Sequence, residues 1–174
     1  ILTNPPYVVD GSKNFKEEIK NNKLLYHYTE SSLGIEGLFM QWIVKALKPD
    51  GKAFVIIPSG TLDRIPDKKL RKYIAEECFI DAIISLPSKT FFTTTKKTFI
   101  LAITKKSDKQ EIQKHPTFCY LVSEIGETLD VNRFDIKENH LDDAANLFNQ
   151  FKNDKLNFKS RDKRCKIINA KKFT

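Results

Sequence analysis

The chain has 174 residues, 40% apolar and 30% charged, with a formal net charge of +8. That length can bury a core of its own, and the composition is that of an ordinary globular protein. No run of about 18 apolar residues and no signal-peptide pattern is present, so the expectation is a cytoplasmic protein with no membrane partner. Cys78, Cys119 and Cys165 are odd in number, widely spaced and without a C-x-x-C pair, which predicts reduced thiols and no zinc site. His27, His115 and His140 have no metal-ligand spacing.

In chain order, residues 1–4 predict a short strand that runs into Asn4-Pro5-Pro6-Tyr7. Residues 8–34 are polar with few apolar anchors, a long connection for a compact domain. From Ile35 to Leu47, Leu38, Phe39, Trp42, Ile43, Ala46 and Leu47 recur three and four apart, which predicts an amphipathic helix stopped by Pro49-Asp50-Gly51. Ala53–Ile57 is a continuous β-branched and aromatic run, as in a buried parallel strand, and Pro58-Ser59-Gly60 reads as the turn after it. A helix is predicted over 66–78 with Leu70, Tyr73 and Ile74 inward, then strands over 79–86 and 98–105. The eleven residues 87–97 between those strands are too few for a parallel crossover, so the two are expected to be antiparallel neighbours. A further strand is predicted at 117–122, and a helix over 141–151 with Leu147, Phe148 and Phe151 on one side. The alternation implies an α/β doubly wound sheet ending in an antiparallel hairpin.

The Asn-Pro-Pro-Tyr turn carries the most chemical information. Two consecutive prolines fix φ near −65° and remove two backbone donors, and they hold Asn4 extended. A rigid turn then presents an amide oxygen and free carbonyls at a strand's carboxyl end, with an aromatic ring beside them. Such a turn can hold a planar amino-bearing group: the Asn4 side-chain oxygen and the Pro5 carbonyl accept its two N–H bonds while Tyr7 stacks on its face.

With these residues the chain resembles the N6-adenine DNA methyltransferases of restriction–modification systems, type I modification subunits in particular. Asn4-Pro5-Pro6-Tyr7 matches their catalytic motif. Gly51–Gly60, Leu70–Ile74, Ile80–Pro87, Phe91–Thr95 and Phe99–Ile103 resemble the family's following strands, helix and loop, so the likeness covers roughly residues 1–145. The resemblance implies a Rossmann-like class I methyltransferase fold, S-adenosyl-L-methionine as cofactor, and double-stranded DNA as substrate. It also implies a specificity subunit and a restriction subunit as partners. Asn4, Pro5, Pro6 and Tyr7 take the catalytic positions, Asn4 also touching the cofactor, and Phe91 or Phe92 joins Tyr7 in stacking on a flipped base. Lys13, Lys16, Lys89, Lys96, Lys97, Arg161 and Arg164 become candidate phosphate contacts.

One departure qualifies this. The family's glycine-rich cofactor loop lies upstream of the motif, and the six glycines here are isolated, with no G-x-G after a strand. The expectation is therefore a partial fold: the carboxyl half of a catalytic domain over 1–122, a helical extension over 123–154 and a basic tail or linker over 155–174, inactive alone. That last segment holds eight basic residues and only Asp162 as an acid, seven of the chain's net +8 charges. Two other readings stay open. One is another methyltransferase with the same turn, acting on a protein glutamine or a ribosomal guanine. The other is a non-catalytic DNA-binding or subunit-docking remnant.

Overall fold

The computed structural model describes residues 1–6, 12–29, 34–92 and 94–169. The elements, in order, are β1 (Leu2–Thr3), α1 (Ser12–Asn21), α2 (Glu36–Ala46), β2 (Lys52–Pro58), α3 (Ser59–Asp63), α4 (Lys68–Glu77), β3 (Cys78–Ser85), β4 (Thr98–Lys105), β5 (Thr117–Leu121), β6 (Ile125–Glu127), β7 (Asp135–Asn139), α5 (His140–Asn153) and β8 (Cys165–Ile168). Short 3₁₀ turns lie at Leu25–His27 and Ile65–Asp67. Six strands form a sheet in the order β1-β2-β4-β3-β5-β8, and β6 and β7 form a separate hairpin. The chain divides into two compact units, Ile1–Phe79 with Ile103–Ile112 and Ile80–Ala102 with Gln113–Thr174.

In the first unit β1 pairs in parallel with β2, Leu2 opposite Phe54 and Thr3 opposite Val55. Ala53, Val55 and Ile57 of β2 are fully buried, as the continuous apolar run requires. The Pro49-Asp50-Gly51 stop works through backbone geometry. Asp50 sits at φ 60, the Gly51 amide bonds to the Lys48 carbonyl at 2.8 Å, and a Cβ on Gly51 would stand 2.7 Å from that oxygen. Helix α2 forms where expected but turns a different side inward. Met40, Ile43 and Val44 are buried, whereas Phe39 and Trp42 are exposed. Gln41 is what the periodicity missed: it is fully buried, and its amide donates to the Gly37 carbonyl one turn back at 3.2 Å. The polar stretch 8–34, expected as an open connection, contains α1. Phe15 and Ile19, four apart, mark its only apolar line, and Phe15 stays half exposed.

In the second unit β3 and β5 are parallel, with Ala82 opposite Phe118 and Ser85 opposite Leu121. The expected antiparallel pairing of β3 and β4 is present: the Leu86 amide bonds to the Thr98 carbonyl at one end, and the Lys106 amide to the Glu77 carbonyl at the other. The 155–174 stretch is more than a tail, because β8 within it pairs antiparallel with β5, Phe118 facing Ile167. Helix α5 begins at an Asn139 cap, whose side-chain oxygen accepts from the Leu141 amide at 3.0 Å. It buries Ala144, Phe148 and Phe151. Phe118 is the hub of this core, its ring 5.4 Å from Phe148, 5.6 Å from Phe151 and 6.2 Å from Phe158. Phe118→Ala should therefore destabilise the chain by about 3–5 kcal/mol, read from urea unfolding.

Candidate active site

The residues of the Asn-Pro-Pro turn leave the sheet at the carboxyl end of β1. Thr3 is the last paired residue, and Asn4 follows with its side chain exposed; Pro5 is buried and Pro6 exposed. Among the described residues, β1 stands first in the sheet order, beside β2. The segment is thus anchored by the buried Pro5 ring, with Asn4 exposed beside it. Tyr7, the expected stacking partner, lies outside the described residues.

Beside it, at the carboxyl end of the parallel neighbour β2, Pro58 leads directly into α3, where the sequence suggested only a turn. The carboxyl ends of adjacent parallel strands are where α/β sheets place ligands. What fixes this corner is a buried ion-pair cluster. The Arg64 guanidinium donates to Glu36 Oε1 at 2.6 Å and to Asp67 Oδ2 at 2.8 Å, and both carboxylates are almost wholly buried. Arg71 adds hydrogen bonds to the Thr61 and Arg64 carbonyls at 3.1 and 2.8 Å. Removing one partner of such a cluster strands a buried charge, so α2, α3 and α4 are held in a single arrangement. Sequence reasoning did not find it, because Glu36 and Arg64 are far apart in the chain and lie in no motif.

The loop 87–97 follows the carboxyl end of β3. Phe91 and Thr94 close a tight turn through the Thr94 amide and Phe91 carbonyl at 3.2 Å, with Phe92 at its tip. Phe92 is 77% exposed, whereas Phe91 is half buried. Of the two candidates, Phe92 has the more exposed ring. Lys89, Lys96 and Lys97 are exposed, Lys97 with its ammonium 5.7 Å from the Phe99 ring. Arg133, absent from the sequence candidates, bonds to this loop through the Lys89 and Thr90 carbonyls. Lys16 is exposed on α1; the side chain of Lys13 lies outside the described set.

Arg161 and Arg164 differ sharply. Arg161 is exposed, but Arg164 is committed to the protein, bonded to Asp162 and Asp143 and lying 5.6 Å over the Tyr120 ring. Tyr120 donates its hydroxyl to Asp162 at 2.7 Å. Arg164 holds the Asp162 carboxyl well below the usual carboxylate range; burial, and then Asp162, push the Tyr120 phenol above its ordinary value. A shallow depression of about 400 Å³ lies here against α5, but it contains neither Asn4 nor Phe92. Burial raises the Cys119 thiol to about 11, so it stays protonated. Among the described residues, no group of three or more His, Cys, Asp or Glu could hold a metal.

Comparison with known proteins gives the fold a class and the chain a family. The fold is that of class I S-adenosylmethionine-dependent methyltransferases, shared with such a structure from Listeria monocytogenes at a TM-score of 0.54, 21% identity and coverage of 71% of this chain and 36% of that one. The family model for N-6 DNA methylases matches residues 1–173, and the chain belongs to that family. The methylase subunit of the type I restriction enzyme EcoEI from Escherichia coli is 35% identical over 124 residues, 67% of this chain and 23% of that protein. The MpnII methylase subunit from Mycoplasma pneumoniae is 30% identical over 64% of this chain and 21% of its own length. This chain thus spans under a quarter of the length of these relatives. A structure from a study of type I restriction–modification assembly superposes with a TM-score of 0.71 at 22% identity, covering 98% of this chain and 34% of that one.

The Asp162 geometry sets a pH dependence. Its folded-state pKa is depressed, so its contribution is present above the unfolded carboxylate value and lost as pH falls through the folded one. Asp162→Asn should lower the thermal midpoint at pH 7 and flatten the loss of stability below about pH 4. Parallel unfolding curves for both proteins across that range test it.

Proposed function

We propose that the polypeptide carrying this sequence transfers a methyl group to the N6 amine of adenine in double-stranded DNA, as part of a restriction–modification system. The observation that carries this reading is the Asn4-Pro5-Pro6 turn at the end of β1 in a chain of the N-6 DNA methylase family. An exocyclic adenine amine is a poor nucleophile because its lone pair is delocalised into the ring. Accepting both of its hydrogens, at the Asn4 side-chain oxygen and the Pro5 carbonyl, draws the nitrogen toward tetrahedral geometry and frees that pair. This is positioning and electrostatic preorganisation, without a general base. The base must leave the duplex to reach the turn, and stacking on Tyr7 and Phe92 offsets part of the unstacking cost of a few kcal/mol.

S-adenosyl-L-methionine would supply the electrophilic methyl. Among the described residues, those we assign a role fit the substrate side of that reaction. Gly34, Gly51, Gly60 and Gly126 each lie against their own turn or a nearby side chain, and none follows a strand in a G-x-G loop that could approach a cofactor closely. Asn4 is the residue that we place near the cofactor. Lys13, Lys16, Lys89, Lys96, Lys97 and Arg161 are the proposed phosphate contacts, Arg164 being occupied internally. A specificity subunit and a restriction subunit are the proposed partners, in keeping with relatives that are named as subunits. The proposed location is the cytoplasm. No described helix is long and apolar enough to cross a membrane.

The other substrates that this turn could hold, a protein glutamine or a ribosomal guanine, lack the support that the family match gives to DNA adenine. The test is to place this sequence in a polypeptide of the relatives' full length and assay labelled methyl transfer to unmethylated genomic DNA, with the product identified by nucleoside mass spectrometry. N6-methyladenine is expected. Asn4→Ala should lower turnover by roughly 10²–10³-fold with an unchanged thermal midpoint, since it removes a contact made on an exposed turn. The 174 residues alone should show no micromolar binding of S-adenosyl-L-methionine in calorimetry. Near-normal turnover in Asn4→Ala would remove the amine-holding role.

A further inference from the structure

We propose that Arg133 is a positioning residue for the aromatic that captures the base: it locks the 87–97 loop and holds the Phe92 ring by one face. The role in base capture rests on the function proposed above, whereas the locking of the loop stands on its own geometry. Arg133 lies in the β6–β7 connection, outside every motif the sequence displays.

The contacts converge on one guanidinium. Its Nη2 donates to the Lys89 carbonyl at 2.6 Å and to the Thr90 carbonyl at 3.0 Å. Its Nη1 reaches Glu127 Oε2 at 3.3 Å, which ties it back to β6. Its Cζ stands 4.3 Å from the centroid of Phe92, within cation–π range. The Arg133 side chain is only 11% exposed, while the ring it supports is 77% exposed. A largely buried cation thus lies under an exposed aromatic. It leaves most of that ring open.

The backbone it grips is strained. Lys89 has φ 65, a left-handed conformation that a residue with a Cβ keeps only where its surroundings enforce it. Two hydrogen bonds at Lys89 and Thr90 supply that enforcement, together with the Thr90 hydroxyl on the Pro87 carbonyl at 2.7 Å. The Arg133 connection is itself braced, by the Thr128 amide on the Phe134 carbonyl at 2.9 Å and the Phe134 amide on the Thr128 hydroxyl at 3.1 Å. An unsupported Phe at a turn tip would sample several rotamers and lose that freedom on stacking. A ring already held on one side loses less. Arginine suits the task because its planar fork can donate to two carbonyls while its face lies on an aromatic; lysine, a point charge, cannot do both.

The test uses a polypeptide of the relatives' full length carrying this sequence, and its variants Arg133→Met, Arg133→Lys and Phe92→Leu. Segment-resolved amide hydrogen exchange reports the loop; quenching of a 2-aminopurine placed in a single-stranded oligonucleotide reports stacking. Arg133→Met should raise exchange across 88–97 by roughly tenfold or more, with β3 and β5 unchanged. It should also lose the quenching to the extent that Phe92→Leu does. Arg133→Lys, which keeps the charge but not the fork, should restore part of the quenching and little of the protection. Unchanged loop exchange in Arg133→Met would overturn the lock. Quenching lost in Phe92→Leu but retained in Arg133→Met would reduce Arg133 to a structural staple. Absence of quenching by the unaltered chain, with the exchange difference intact, would instead remove base capture by Phe92 and Arg133's part in it.

Discussion

The proposed chemistry hangs on a pairing of two residues. Leu2 and Thr3 bond in parallel register with Phe54 and Val55, and Asn4 is the next residue along. The position of this pair is set in part by β2. That strand is fixed from both ends. At its start the Asp50–Gly51 turn bonds to Lys105 of β4, with the Asp50 amide on the Lys105 carbonyl at 3.0 Å and the Lys105 amide on the Gly51 carbonyl at 2.8 Å. At its end α3 is held through the Glu36–Arg64–Asp67 cluster. A transition-state contact is productive only within a fraction of an ångström. The precision available at Asn4 is therefore the precision of β2 and of the buried charges behind its carboxyl end.

Buried ion pairs are a poor source of stability, because desolvation offsets most of the attraction, but they permit few alternative packings. Here the cluster joins α2, the 3₁₀ turn at Ile65–Asp67 and α4 at one guanidinium. Gly60 takes part by absence: a Cβ there would stand 2.8 Å from Arg64 Nε. The second unit solves the corresponding problem differently. Its loop 87–97 is gripped from the β6–β7 connection and not from a neighbouring helix, so an exposed ring can be presented without a helix beneath it. In the second unit the feature offered to solvent, the ring at Phe92, is backed by the largely buried Arg133.

What the sequence disclosed and what it withheld follow from the range of the interactions involved. The strands 53–57, 79–86 and 98–105 were legible because burial on both faces writes a continuous apolar run. The antiparallel pairing of the last two was legible because eleven residues cannot make a parallel crossover. The Asn-Pro-Pro turn was legible because proline acts on its own backbone. By contrast, α2 was found but rotated. A pattern count treats Gln41 as solvent-facing and does not see that its amide can bond to the Gly37 carbonyl. Strand β8 was hidden inside a basic segment, since Cys165-Lys166-Ile167-Ile168 becomes a strand through β5, more than forty residues earlier. The ion-pair cluster and Arg133 are invisible for the same reason. Arg64 reaches back to Glu36, and Arg133 reaches back to Lys89.

The charge distribution changes meaning once the fold is known. Read as a tail, residues 155–174 offered nearly the whole net charge to a polyanion. In the structure Arg164 is bonded to Asp162 and Asp143, and Lys155 donates to Asp81 at 2.6 Å. Those two cations are already neutralised by carboxylates at short range, and drawing either toward a phosphate would leave its partner carboxylate unpaired. Lys159, Arg161, Lys163 and Lys166 stay exposed, as do Lys89, Lys96 and Lys97 on the loop after β3. Only cations that meet phosphates release counterions, and each adds about 0.9 to the salt slope on duplex DNA. If the proposed DNA binding holds, its response to salt should track the exposed lysines and Arg161, and fall short of what the net charge of the segment suggests.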